Sequence, residues 1–374
     1  MDLDFTEEHE MLRDMVRGVC AEYSPLEVVR ECENGERGYP KALWEQLVGL
    51  GLVGILIPEE FGGQGQTLLE ATIVYEEFGR SLAPVPHFHS AVLSAGALAI
   101  AGSDAQKKAW LPGIASGERI LTPAWLEPRN GFGPKGVQLR AEADGDGFML
   151  SGTKMHVNFA RVADQLVVLA RTGDGLEDVD LFLVDPNAPG VTLSQRFNLG
   201  SEATFRVDFE GVRVSEADRI GAAGSGWTTW NTVMLDGVVL AAAQASGGAK
   251  AALEITIDFA KTREQFGKPL GAFQSISHYL ADAATQIEGG STLVYDAAWS
   301  RSIGKDTKLM APMAKLFMCH AYRDVTAMCQ QVWGGVGFTI EYDIQLYFRR
   351  AKQLQMSWWD DRYLGELVAV EELD

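Results

Sequence analysis

Apolar positions recur with a helical period at both ends of the chain and with a strand period in its middle. Phe5, His9, Leu12 and Val16 fall on one helical face, and Leu43, Trp44, Leu47 and Leu50 do the same further on. Ala71–Arg80 and His89–Ala101 read as two more helices, and Ser103-Asp104-Ala105-Gln106 reads as a cap opening a helix that carries Trp110. The glycines of Pro58–Gly65 suit a tight loop between helices. From about residue 118 the pattern changes: GVQLRAEADGDGFMLSGTKMHV holds two alternating runs joined by Asp144-Gly145-Asp146-Gly147, a hairpin signal. DQLVVLART, DVDLFLVD, GVTLSQRF and TFRVDFEGVRV continue as short strands. After Gly226 the helical period returns, and Trp227–Thr262 fits one long helix despite Gly247-Gly248. Phe273–Arg301, Lys308–Trp333 and Tyr342 to the end follow as further helices with short connections, which favours a bundle. The pattern therefore predicts an α+β multidomain chain: a helical domain at 1–117, an all-β domain at 118–222 and a helical bundle at 223–374.

Length and composition agree with two or three folded domains. The chain has 374 residues with nine Trp, nine Tyr and seventeen Phe at 22% charged residues, which excludes a disordered, collagen-like or coiled-coil chain. A net charge of −19 argues against nucleic acid and anionic membrane surfaces as partners. It leaves room for a phosphorylated small ligand, which needs only a local pocket of one or two cations and backbone amides. Cys20, Cys32, Cys319 and Cys329 form neither a CxxC pair nor a zinc-ligand spacing, so no metal site or disulfide framework is expected. The acidic start MDLDFTEEHEMLRD lacks the pattern of a secretory signal, and the apolar stretch Ala91–Ala101 is about half a bilayer span. The expected compartment is the cytoplasm.

Two segments carry the candidate chemistry. In Lys261–Gln274 (KTREQFGKPLGAFQ) a long helix ends near Arg263, a Gly-Lys-Pro-Leu-Gly turn follows, and a new helix opens at Phe273. Arg263 there could neutralise a phosphate and Gln274 could bond a base edge, although a solvated helix corner explains the same residues. In Gln331–Phe338 (QVWGGVGF) another helix ends in three glycines, which permit close backbone approach to a ligand or make a helix C-cap.

Taken together, RxQFGxPxxxFQ, QxxGGxGF and the helix–strand–helix order resemble the acyl-CoA dehydrogenase family over essentially the whole chain. Phe61-Gly62-Gly63-Gln64-Gly65 is similar to the family's FGGxG loop and Gly152-Thr153-Lys154 to its GxK strand. The resemblance implies an N-terminal helical domain, a middle β-barrel and a C-terminal four-helix bundle, assembled as a dimer of dimers with FAD bound between subunits. It implies Arg263, with Phe266 beside it, at the FAD pyrophosphate, Gln274 at the adenosine end, and Gln331 with Gly334-Gly335 on the dinucleotide of the neighbouring subunit. On the GxK strand it implies His156 and Asn158 beside the flavin ring. The implied reaction removes two hydrogens across Cα–Cβ of an acyl-CoA thioester: a carboxylate takes the α-proton and the β-hydrogen passes as hydride to the flavin. An electron-transfer flavoprotein or similar acceptor then collects the electrons.

The sequence departs from the family pattern on the flavin-ring side. The family's C-terminal Glu falls on Trp358 when Phe348–Lys352 is aligned, with Asp360 and Asp361 close by. Members that carry the base on the long helix would place it at Gly237, so Asp236, one residue earlier, is the candidate base. The family's TEPGxGSD segment becomes Leu126-Glu127-Pro128-Arg129-Asn130-Gly131-Phe132-Gly133, which loses the Thr and the Ser-Asp pair. Two readings follow. The chain is an active dehydrogenase, as a homo-oligomer, or it is a partner subunit that completes the FAD site of a catalytic sister chain in an α2β2 assembly. A nicotinamide-binding reading of Gly221–Gly226 lacks the βαβ setting and the spacing.

Overall fold

The computed structural model describes residues 5–373; Met1–Asp4, within the acidic start, and Asp374 lie outside them. The first helix, α1 (Glu7–Tyr23), opens at Thr6, which exchanges side-chain and backbone hydrogen bonds with His9 and so satisfies orphan donors of the first turn. α2 (Leu26–Cys32), α3 (Lys41–Gly49) and α4 (Leu68–Arg80) follow. The helix expected at His89–Ala101 changes character along its length. Phe88–Ser94 winds as a π-helix in which Ser94 Oγ donates to the His89 carbonyl at 2.7 Å, and α5 (Ala95–Ala101) continues it. α6 (Asp104–Ala115) carries the cap read from the sequence, with Ser103 and Gln106 bonded reciprocally.

Eight strands then form one mixed sheet: β1 (Leu121–Ala124), β2 (Arg140–Asp144), β3 (Gly147–Asn158), β4 (Gln165–Arg171), β5 (Val179–Val184), β6 (Val191–Arg196), β7 (Thr204–Ser215) and β8 (Arg219–Ile220). Their order is β6-β7-β3-β2-β4-β5-β8, with β1 parallel to β4. Asp144 pairs with Gly147, so Gly145-Asp146 is a two-residue hairpin turn. Period-two alternation places Leu150, Val157, Val168, Phe182, Phe205 and Val207 in a common core.

α7 (Gly226–Thr262) is a single helix of 37 residues. Its glycines mark close contacts: a Cβ at Gly247 would lie 1.7 Å from the Glu76 carbonyl, and one at Gly248 would lie 2.4 Å from the Tyr322 hydroxyl. That proximity offsets the ~1 kcal/mol each glycine costs a helix. The short β9 (Glu264–Gln265) and β10 (Lys268–Pro269) follow, then α8 (Gln274–Ser302), α9 (Met310–Trp333), α10 (Ile344–Met356) and α11 (Asp361–Leu373). The stretch from Tyr342 onward is thus two helices. They part at Trp358 and Trp359, whose φ values of +53° and +69° no α-helix accommodates.

The chain forms two compact units, one of residues up to Val28, Leu68–Ala83 and Val238 onward, the other of Val29–Thr67 and Pro84–Gly237. In the first, the buried Glu76 of α4 accepts hydrogen bonds from Arg13 of α1, Lys250 and Ser246 of α7, and Tyr295 of α8. Burial alone would raise the Glu76 carboxyl, but Lys250 and Arg13 outweigh it and hold its pKa down to about 2. Glu77, beside it, takes a two-pronged bond from Arg17 at 3.0 and 2.8 Å. Among the described residues no helix is long and apolar enough to cross a membrane.

Candidate active site

Arg263 follows the last residue of α7, and its N–H bonds the Phe259 carbonyl at 2.8 Å. A minimal hairpin comes next, with Gln265 paired to Lys268 and Phe266-Gly267 turning at φ +53° and +79°. Two left-handed residues match the twist of a tight hairpin; glycine adopts that conformation freely, and a phenylalanine does so only under strain. Phe266 is 93% exposed at the tip. Arg263 and Gln274, on either side of the hairpin, are exposed as well. At the end of α9, Gln331 is exposed, and a Cβ built on Gly334 or Gly335 would meet nothing within 4 Å. Trp333 stacks on Phe259 with centroids 4.0 Å apart and donates from Nε1 to Thr256 Oγ1 at 3.1 Å, which sets the end of α9 beside the end of α7. The residues of two separate motifs therefore share one end of the helical unit. They offer a guanidinium, two carboxamides and bare glycine backbone, a donor set that fits an anionic dinucleotide.

On the sheet, β3 carries an extra residue: Lys154 pairs with Val207 and Val157 with Phe205, leaving Met155-His156 as a bulge. His156, at φ +54°, is exposed there. Asn158 is buried; its Nδ2 donates to Glu202 Oε2 at 3.0 Å and its carbonyl accepts from Thr122 Oγ1 at 2.7 Å. Between β1 and β2 runs the segment whose polar residues depart from the family pattern. Glu127 accepts the backbone N–H groups of Gln138 and Leu139, both at 2.9 Å, and the ammonium of the fully buried Lys154 at 2.7 Å. Burial lowers the Lys154 pKa to about 8 against the opposing pull of Glu127.

The candidate bases are placed less favourably. Gly237 is buried, and a Cβ there would sit 2.9 Å from Leu93 Cδ2 and 3.5 Å from the Phe88 ring, so a side chain on that face of α7 would require the Leu93 side chain to move. Asp236 is half-buried, about 100° around the helix from it. At the other position, Lys315 is fully buried and donates to the Leu354 and Trp359 carbonyls at 3.2 and 2.9 Å, fixing the reversal that contains Trp358. Asp360 Oδ1 accepts the Tyr363 N–H at 3.0 Å and caps α11. Asp361 Oδ2 is bonded by His320 Nε2 at 2.7 Å and by Gln355. Both carboxylates near Trp358 are thus engaged in local structure. The glycines of Gly221–Gly226 serve packing: a Cβ at Gly226 would lie 2.5 Å from Asp180 Cα, and Gly224 N–H donates to Asp180 Oδ1 at 2.7 Å.

Family models for the acyl-CoA dehydrogenase N-terminal, middle and C-terminal domains match residues 6–118, 123–212 and 224–357. The chain belongs to the acyl-CoA dehydrogenase family. It is 31% identical over 365 residues to acyl-CoA dehydrogenase FadE27 of Mycobacterium tuberculosis, covering 96% of this chain and 95% of that protein. Butyryl-CoA dehydrogenase from Megasphaera elsdenii superposes with a TM-score of 0.92 at 27% identity, covering 100% of both chains. A chain of the ChsE4-ChsE5 complex from Mycobacterium tuberculosis matches with a TM-score of 0.91 at 28% identity, covering 100% of this chain and 100% of that one. Acyl-CoA dehydrogenases are FAD-using flavoproteins that oxidise a CH–CH bond of acyl-CoA.

In this acyl-CoA dehydrogenase family member, some buried charges, Lys154 and Glu127, lie within the motifs and others lie outside them. Glu76 and Lys315 do not stand out by motif, whereas Glu127 is the acidic residue kept from the family's TEPGxGSD segment. Glu76 and Lys315 do stand out as charges inside apolar helical runs, Tyr75-Glu76-Glu77-Phe78 and Ala314-Lys315-Leu316. Such residues are buried only when paired, which is the signal that finds them.

Proposed function

We propose that this chain carries out FAD-dependent α,β-dehydrogenation of an acyl-CoA thioester, with Asp236 as general base. The observation that carries the proposal is the donor set at the adjoining ends of α7 and α9. Arg263 would hold the FAD pyrophosphate with Phe266 beside it, Gln274 the adenosine end, and Gln331 with Gly334-Gly335 the dinucleotide across a subunit interface. His156 and Asn158 would line the ring side. When bound, FAD supplies the two-electron acceptor for the hydrogen leaving Cβ. The chain's own task is to take the α-proton on a carboxylate and to meet the growing charge on the thioester oxygen with hydrogen-bond donors. Asp236, half-buried on α7, is a carboxylate partly shielded from water. The assembly proposed is a cytoplasmic tetramer that passes electrons to an electron-transfer flavoprotein or similar acceptor.

A second reading rests on the segment Ser357–Asp361. Trp358 stands where the family keeps its Glu, and Asp360 and Asp361 are engaged in capping and side-chain bonds. These features favour a partner subunit that lends Arg263 and Gly334-Gly335 to the FAD of a sister chain in an α2β2 assembly. Native mass spectrometry with an absorption spectrum separates the readings: the first expects FAD and tetramers from this chain alone, the second only with the sister chain. Absence of flavin in both preparations would remove the proposal.

A further inference from the structure

The loop from Glu127 to Leu139 keeps the Glu of the family pattern but lacks its Ser-Asp pair, and it is tied down at both ends by buried cations. At its start, Lys154 Nζ on β3 donates to Glu127 at 2.7 Å and to the Trp125 carbonyl at 3.2 Å. Glu127 in turn accepts the N–H groups of Gln138 and Leu139 at the loop's far end, so one carboxylate closes the loop upon itself. From β4, the buried Arg171 donates to the Pro134 carbonyl at 2.6 Å and to the Val137 carbonyl at 2.8 Å. A loop of this length closed by its own contacts is an Ω-loop, and such loops are frequently functional. A buried ion pair is weak evidence for stability, since apolar replacements of similar volume often serve as well. A pair that also satisfies two backbone donors does what no apolar pair can: it specifies one loop conformation.

We infer that Lys154, acting through Glu127, is a positioning residue that fixes the backbone of the loop 127–139 on the flavin-ring side of the site. The inference rests on the proposed FAD-binding reading for its function and on the observed bonds for its geometry. With Leu126, Phe132 and Gly133 in place of hydrogen-bonding side chains, the loop's peptide groups take a larger share of what it offers a ring, and their directions depend on the Glu127 staple.

The test uses the full chain, alone and with its sister subunit, as wild type, as Lys154→Met, and as the double variant Lys154→Met/Glu127→Leu. The single variant leaves a carboxylate buried without its cation and can fail to fold. The double variant removes both charges together and is expected to stay folded, so the test does not depend on the single one. In the double variant, exchange of the Gln138 and Leu139 amides should quicken at least about tenfold, as expected when a hydrogen bond of some 1.4 kcal/mol is lost. Binding of FAD should weaken by a similar factor, and the visible spectrum of the flavin that still binds should shift. Unchanged exchange at both amides would overturn the geometric claim. Faster exchange with FAD affinity within twofold of wild type and an unshifted spectrum would overturn the positioning role. If wild type binds no flavin in any preparation, the FAD reading fails, while the amide arm still decides whether Lys154 fixes the loop.

Discussion

At the scale of single residues, the exposed side chains at the ends of α7 and α9 were legible from sequence because motifs report spacing, and spacing at helix ends survives folding. Arg263 illustrates this. Its guanidinium is exposed beside a strained hairpin tip, a position that contributes nothing to a core. Arg263→Ala should therefore leave the fold intact and weaken flavin binding by about 1.5–3 kcal/mol, the usual loss for a charge-assisted hydrogen bond. Equal flavin occupancy in the variant and the wild type would remove Arg263 from the site. Asp236 was much less legible, because one residue on a helix turns a side chain through about 100° and spacing alone cannot say which face is inward. Gly237, one residue on, packs against the side chains of Leu93 and Phe88. If Asp236 is the base, Asp236→Asn should lower turnover by about 10²–10⁴-fold with KM little changed. Full turnover by that variant, followed as acyl-CoA oxidation with an artificial acceptor, would rule it out.

At the scale of elements, periodicity predicts the helices, the strands and the hairpin at Gly145-Asp146, but not places where the backbone leaves its regular form, among them the Met155-His156 bulge and two helical sites. The π-helix at Phe88–Ser94, where Ser90 Oγ accepts the Leu121 N–H at 3.1 Å, and the reversal at Trp358-Trp359 both bond to partners distant in sequence, which a local pattern does not record. The reversal is held by Lys315, forty-odd residues earlier in the chain. Lys315→Met keeps the buried stem and removes the donor, leaving two carbonyls short of a partner, and should cost about 1–3 kcal/mol. The loss should appear as a lower Tm and as faster amide exchange across residues 357–361; exchange that stays at the wild-type rate would show that the reversal holds itself. The Glu76 network makes a pH prediction for the packing of α1, α4, α7 and α8. Its folded pKa of about 2 lies below the ordinary 4.5, so its contribution is present above pH 4.5 and is lost as pH falls toward 2. The contribution is about 3 kcal/mol by the conversion of a pKa difference to free energy. Glu76→Gln should lower stability at pH 7 and flatten the acid limb between pH 4.5 and 2. Denaturant unfolding at several pH values reads both, and parallel acid limbs for variant and wild type would contradict the assignment.

At the scale of the whole molecule, the chain presents an exposed donor set at the ends of α7 and α9, proposed here for the nucleotide, while Trp358 aligns with the family's C-terminal Glu and the carboxylates beside it are committed to local bonds. A homo-oligomeric enzyme needs every copy to supply a base, so in that case the work falls on Asp236. In an α2β2 assembly the same surface can serve a sister chain's flavin, and this chain is then free to lose its own base. Trp358→Glu distinguishes a pocket that is otherwise complete from one that has been given up. A new carboxylate in a half-buried position that is not built to pair it costs roughly several kcal/mol, and near the fixed Lys315 contacts it disturbs the reversal as well. The expected outcome is a destabilised chain with no gain in oxidation of a short acyl-CoA, whether alone or with its sister. Robust turnover by isolated Trp358→Glu would mean that the ring side, despite Leu126 and Phe132, is still shaped for the reaction, and that a single residue separates this chain from family members with the C-terminal Glu.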